Sequence, residues 1–165
     1  MGFLPDGYKL PTEEGNYMKF RDGENKIRIL SEPILGWLDW DDNRQPHRTP
    51  LDQKPTKSLS SKLDAKVKHF WAMVVWNYQE EKVQILEITQ STIQKAINTF
   101  VADPDYGSPF DYDIVISKSG AELKTEYQVT PKPPKPVDPL IAMEYNPKNY
   151  DLTALYRNES PFVSQ

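Results

Sequence analysis

The 165 residues include no cysteine and only two histidines, His47 and His69. Disulfides, thiolate nucleophiles and thiolate-held zinc are therefore excluded. Two imidazoles are too few for a histidine-based metal site without several carboxylates. No apolar run approaches the roughly 20 residues of a membrane span. Residues 1–6 lack the basic and apolar regions of a signal peptide, so a soluble, cytosolic protein is expected. Walker A, GxGxxG, HExxH and GxSxG patterns are missing. Asp39, Asp41 and Asp42 could in principle hold Mg²⁺ through hard carboxylate oxygens. They lack a Glu–Lys partner at nuclease-like spacing, so no catalytic residue, metal or cofactor is expected.

Aromatic residues, by contrast, are plentiful: four Trp and nine Tyr in a chain of polar mean hydropathy. Fifteen Pro gather at the ends and in one central stretch, which suggests ordered pieces joined by extended linkers. The net charge of −4 is unevenly spread. Residues 43–69 carry seven Lys/Arg against Asp52 and Asp64, so this segment is +5 and the remainder −9. An acidic molecule with one basic segment offers either a solvated linker or an arm that lies along phosphates.

Residues 1–20 are expected to be an irregular lead-in. From Asn25 to Leu30 polar and apolar residues alternate with the period of a half-buried strand, placing Ile27 and Ile29 inward and Lys26 and Arg28 outward. Pro33 interrupts the run, and a second strand is expected from Ile34 to Trp40. Residues 41–66 show no periodicity and read as a long loop, the class that is usually functional or disordered. His69 to Tyr78 is the strongest strand pattern. The Glu80–Glu81 turn makes it a hairpin with Lys82 to Ile88. Thr89 or Ser91 would cap a helix with Ile93, Ile97, Phe100 and Val101 on one face. Two further strands are expected at Pro109–Ser117 and Leu123–Thr130. The Pro-rich run from Pro131 to Pro136 cannot join a sheet interior. The expected fold is mainly β: an OB-fold-like Greek-key barrel of five to six strands, with one helix after the fourth strand and extended tails. The domain would span residues 21–136, with a basic flexible loop at 43–67, and residues 137–165 would form a C-terminal appendage.

Single-strand binding needs cations along phosphates and flat rings on which unstacked bases can rest. Trp37 and Trp40 precede the basic loop; His69 and Trp71 follow it; Arg44, Arg48, Lys57, Lys62, Lys66 and Lys68 lie between. Lys26 and Arg28 on the first strand, and Tyr127 on the last, complete the candidate DNA-binding set. Trp40, set among Asp39, Asp41 and Asp42, is poorly placed for burial and is assigned to stacking. Trp76 is assigned to the core, while the pattern leaves Trp71 and Tyr127 open between the two roles.

The segment Tyr17–Leu30 followed by Gly36-Trp37-Leu38-Asp39-Trp40 resembles the opening of a phage single-stranded DNA-binding protein family. Lys68-His69-Phe70-Trp71-Ala72, residues 84–90, residues 112–116 and Tyr127-Gln128-Val129-Thr130-Pro131 fit the same pattern in order. A more distant similarity is to the T4-type helix-destabilising protein. The resemblance implies an OB fold in the host bacterium's cytoplasm that binds single strands without sequence preference and protects them during DNA replication, recombination and repair. Carried over by motif, it points to Arg28, Trp37, Trp40, Lys68, His69 and Trp71. The T4-type zinc cluster is not expected without cysteine. Residues 137–165 are only −2, less acidic than the partner-recruiting tails such proteins often carry. The implied partners are single-stranded DNA, replication or recombination proteins through the C-terminal segment, and further copies on DNA, with no membrane. An OB-like protein-interaction module of a replication or recombination complex is the alternative.

Overall fold

In a computed structural model, residues 2–3, 6 and 14–163 are described; most of the lead-in expected at 1–20 lies outside them. Among the described residues seven antiparallel strands form one sheet: β1 (Gly23–Ile29), β2 (Ile34–Trp40), β3 (Pro46–Pro50), β4 (Lys68–Asn77), β5 (Lys82–Ile88), β6 (Ile114–Ser119) and β7 (Glu126–Pro131). Helix α1 (Ser91–Ala102) links β5 to β6, and a short α2 (Pro139–Glu144) follows the Pro-rich run.

The sheet branches at β4. One edge pairs with β5 along Trp71–Asn77. The other edge is shared: Lys68–Ala72 pair with β2 and Val75–Asn77 with β1. The break that Pro33 imposes thus falls between two strands that both lie along β4. Beyond β1 come β6 and β7; beyond β2 comes β3. With neighbours on both edges and cover on both faces, β4 is apolar nearly throughout, as its sequence is.

One face, here called the helix face, gathers Ile27, Ile29, Met73, Val75, Leu86, Ile88, Ile114 and Ile116 beneath Ile93 and Ile97 of α1 and the ring of Tyr112. The opposite, outer face holds Leu38, Phe70 and Ala72. The C-terminal segment returns to cover it: Leu155 joins that cluster, the Tyr156 hydroxyl donates to the Leu35 carbonyl at 2.6 Å, and α2 buries Ile141.

Several local expectations are revised. The aperiodic stretch after Trp40 contains β3, because Asp41 accepts hydrogen bonds from the N–H groups of Asn43 and Gln45 and closes a hairpin. α1 consequently follows the fifth strand, and seven strands replace five or six. Its N-cap is Gln90, with no side-chain cap bond, rather than Thr89 or Ser91. Residues 109–111 form a 3-10 turn capped by the Ser108 hydroxyl, so the sixth strand starts at Ile114. A similar turn at Glu122–Lys124 delays the seventh to Glu126. The ends of the path β5–β4–β1–β6–β7 do not pair with each other among the described residues. Residues ahead of β1 occupy the outer edge of β5, where the Met18 N–H donates to the Ile85 carbonyl at 2.8 Å and Phe20 meets Tyr127 at 5.8 Å. The sheet is open.

Candidate nucleic-acid interface

The site grows from the β2–β3 hairpin and the loop that leaves it. Strands β2 and β3 approach so closely at Gly36 that a Cβ there would lie 2.1 Å from the Thr49 carbonyl oxygen. Beyond β3, residues 51–67 fold back along the hairpin, held by Asp39 and Asp42. Asp39, only 3% exposed, accepts from the Ser58 hydroxyl at 2.6 Å and from the Leu59 N–H at 2.7 Å. Asp42 accepts from the Ser61 N–H at 2.8 Å and hydroxyl at 3.1 Å. Asp41 holds the hairpin turn and contacts His47 Nε2 at 2.8 Å.

Burial pushes the Asp39 carboxyl upward, but the Ser58 hydroxyl and the N–H groups of Leu59 and Trp40 outweigh it and leave the group below the ordinary Asp range. Asp41 is lowered chiefly by His47 and Asp42 by Ser61. In the acidic run that could have suggested a Mg²⁺ site, Asp39 and Asp42 thus anchor the loop and Asp41 holds the hairpin turn. Among the described residues no group of three or more His, Cys, Asp or Glu is arranged to hold a metal ion.

Pinning the loop creates a cleft of about 550 Å³ at the hairpin tip, lined by Trp40, Arg44, Lys62 and Lys66 above the aspartates. Trp40 is 47% exposed. Arg44 stands in the hairpin turn with a left-handed backbone (φ 60°), an uncommon conformation for a residue other than glycine.

A second aromatic group lies on the helix face. Cross-strand pairing sets Trp37 beside His69 and Leu35 beside Trp71. The Trp37 and His69 rings are 5.1 Å apart, and the Trp71 indole N–H donates to His69 Nε2 at 3.2 Å. Because an indole can only donate, Nε2 must be the bare nitrogen. The proton sits on Nδ1, which donates to the Gly36 carbonyl at 2.8 Å. The Trp37 indole N–H donates to the Leu51 carbonyl, and Lys54 Nζ lies 4.6 Å from the Trp37 ring centre. Strand parity separates Trp37 from Trp40, so a strand touching both would pass round the hairpin end.

Other candidates lie elsewhere. Arg28 is not on an open face: it is 1% exposed, with Nε 2.7 Å from Asp113 and its remaining nitrogens on the carbonyls of Phe110 and Lys135. The outward side of β1 is outward only until the residues around 110–113 and 135 cover it, so a phosphate-binding role for Arg28 is withdrawn. Lys26 joins the same network, 3.7 Å from Asp113 and 4.5 Å over the Tyr78 ring. Burial would raise the Asp113 carboxyl, but Arg28 and Tyr78 hold it below the ordinary range. Arg48 is paired through two nitrogens with Glu87. Tyr127 packs on the helix-face core beside Phe20. Lys57 and Lys68 are exposed near the loop's middle and end, and Trp76 is core at 4% exposure. Lys54, passed over in the sequence, is recovered by its place above Trp37. The Ser58-Leu59-Ser60-Ser61 run was the legible counterpart of Asp39 and Asp42.

Fold and site together define a mainly β protein that presents tryptophan rings and cations around one hairpin. No family model and no solved structure matches the chain. It is 28% identical over 130 residues to a protein of Escherichia phage T5 described as "Probable ssDNA-binding protein". The match takes in 74% of this chain and 45% of that protein, so the chain spans less than half the length of this curated relative. The similarity supports the resemblance to phage single-stranded DNA-binding proteins read from the sequence motifs.

Proposed function

We propose that this protein binds single-stranded DNA without sequence preference and protects it during phage DNA replication, recombination and repair. Bases stack on tryptophan rings, and Lys and Arg neutralise phosphates. The observation that carries this reading is the hairpin-tip cleft, where an exposed Trp40 stands beside Arg44, Lys62 and Lys66. The ring supplies stacking that every base can use, worth about 1–3 kcal/mol per base, and the cations supply the backbone attraction. The description of the phage T5 relative supports the same class of ligand. Single strands suit the site better than duplex, whose stacked bases present only their edges to a protein.

The sheet is best understood as a partly open OB-type barrel, with α1 between its β5 and β6 strands and the residues ahead of β1 filling the gap beside β5. The site of action is the host cell's cytoplasm, where phage DNA is copied. A second reading, an interaction module for replication or recombination proteins, draws on α2. There Leu140 and Met143 are 56% and 82% exposed, next to a cleft bordered by Glu81, Asp138 and Glu144.

Titration of intrinsic tryptophan fluorescence with oligo(dT), at two salt concentrations and beside a duplex control, tests the proposal. Quenching by the single strand alone, weaker at high salt, is expected. No response at low salt would overturn DNA binding and leave the interaction module in first place.

A further inference from the structure

The aromatic row on the helix face does not stop at Trp71. Beside it opens a cleft of about 480 Å³ between the bend joining β1 to β2 and the C-terminal half of α1. Leu35, Met73 and Ile97 form its floor with the Trp71 ring, and Val101 and Phe110 form its lips. We propose that this cleft is a subsite for one unstacked nucleobase of the bound single strand, held against Trp71; this rests on the single-strand reading of the hairpin.

Four observations select that occupant. First, the cleft continues the row Trp37–His69–Trp71, whose far end carries Lys54 above the Trp37 ring, so a backbone tracked there delivers its next base to Trp71. Second, Trp71 has already given its N–H to His69, and His69 has given its own to Gly36. Only uncharged ring surface is left to offer, which suits a base face and not a phosphate. Among the described residues no Lys or Arg lines the cleft, and the one charged residue there is Glu32. Third, Val101 and Phe110 stand 46% and 39% exposed at the opening, an apolar rim of the kind that marks binding grooves. Fourth, Asn98 at the rim has an exposed carboxamide that can donate to or accept from any base edge, consistent with binding that tolerates all sequences. The buried Arg28 acquires a positioning role here: its Nη1 donates to the Phe110 carbonyl at 3.0 Å and fixes one lip.

The test uses the whole chain and oligo(dT) carrying 5-iodo-deoxyuridine, irradiated at low salt, with the cross-linked residues mapped by mass spectrometry. Cross-links to Trp71 or Phe110 are expected. Alongside it, Val101→Trp plugs the cleft from an exposed helix position, and affinity should fall about tenfold, the scale of one stacking contact. The dependence of log affinity on log salt should not change, because no phosphate contact is lost. Cross-links confined to Trp37 and Trp40, with Val101→Trp binding like the parent, would overturn the subsite while leaving single-strand binding intact. No binding of oligo(dT) by the parent chain would overturn both.

Discussion

Replacing Asp39 by Ala should release the basic loop while leaving the sheet folded. Asp39 is 3% exposed, and its carboxylate accepts one hydroxyl and one backbone N–H from residues 58 and 59, both at 2.7 Å or less. Hydrogen bonds to a charged group contribute roughly 1.5–3 kcal/mol each, so about 3–6 kcal/mol of loop attachment is at stake. The loop can peel away without unfolding β2, and only part of that sum should register in thermal unfolding. Local opening is the sharper readout. At the lower bound of about 3 kcal/mol, the opened population rises by roughly two orders of magnitude. Trypsin cleavage after Lys57, Lys62 and Lys66 should accelerate accordingly when reclosing outpaces cleavage. The sign with pH follows from the lowered carboxyl. Anchoring is complete above the ordinary Asp value of about 3.9 and is lost as the pH falls through the lower folded value. A cleavage rate within about twofold of the parent's would refute the anchoring role, because it would mean the opening equilibrium had barely moved.

Other substitutions separate binding from folding. Trp40→Ala should weaken oligo(dT) binding by about tenfold with no change in melting temperature, whereas Trp76→Ala should cost about 3–5 kcal/mol of stability. Equal affinity of Trp40→Ala and the parent would remove that ring from the interface. Arg28→Met leaves Asp113 buried without its closest partner and should destabilise by about 3–5 kcal/mol, seen as a melting temperature lower by about 6–20 °C. A normal melting temperature with a shallower salt dependence would instead return Arg28 to the phosphate contacts. Lys62→Ala with Lys66→Ala should reduce the slope of log affinity against log salt by about 1.4, roughly 0.7 per phosphate contact. An unchanged slope would show that the hairpin-tip cations do not meet the backbone.

Local chemistry was enough to place most of the sheet. Alternation from Asn25 to Leu30, the break at Pro33 and the apolar run around Phe70–Trp76 are short-range signals, and the strands stand where these put them. The helix stripe of Ile93 and Ile97 was legible for the same reason, as was the core place of Trp76. Trp40 could be read as exposed because three carboxylates surround it in the chain. β3 could not be read, since Pro46-His47-Arg48-Thr49-Pro50 has no apolar alternation and becomes a strand only because Asp41 closes the hairpin beside β2. Arg28 misled because alternation tells two faces apart but not whether a distant segment covers one of them. Residues 82 and 107 positions along the chain supply the carbonyls that bury its guanidinium. The acidic run was ambiguous for a related reason: a carboxylate's role depends on what reaches it, and here Ser58, Leu59 and Ser61 arrive from 19 or 20 residues away. Residue types, spacing and charge blocks named the components of the binding face. Which rings share a side, which cations stay free and where a base could enter depend on contacts between segments far apart in the chain, and those exist only once the sheet has formed.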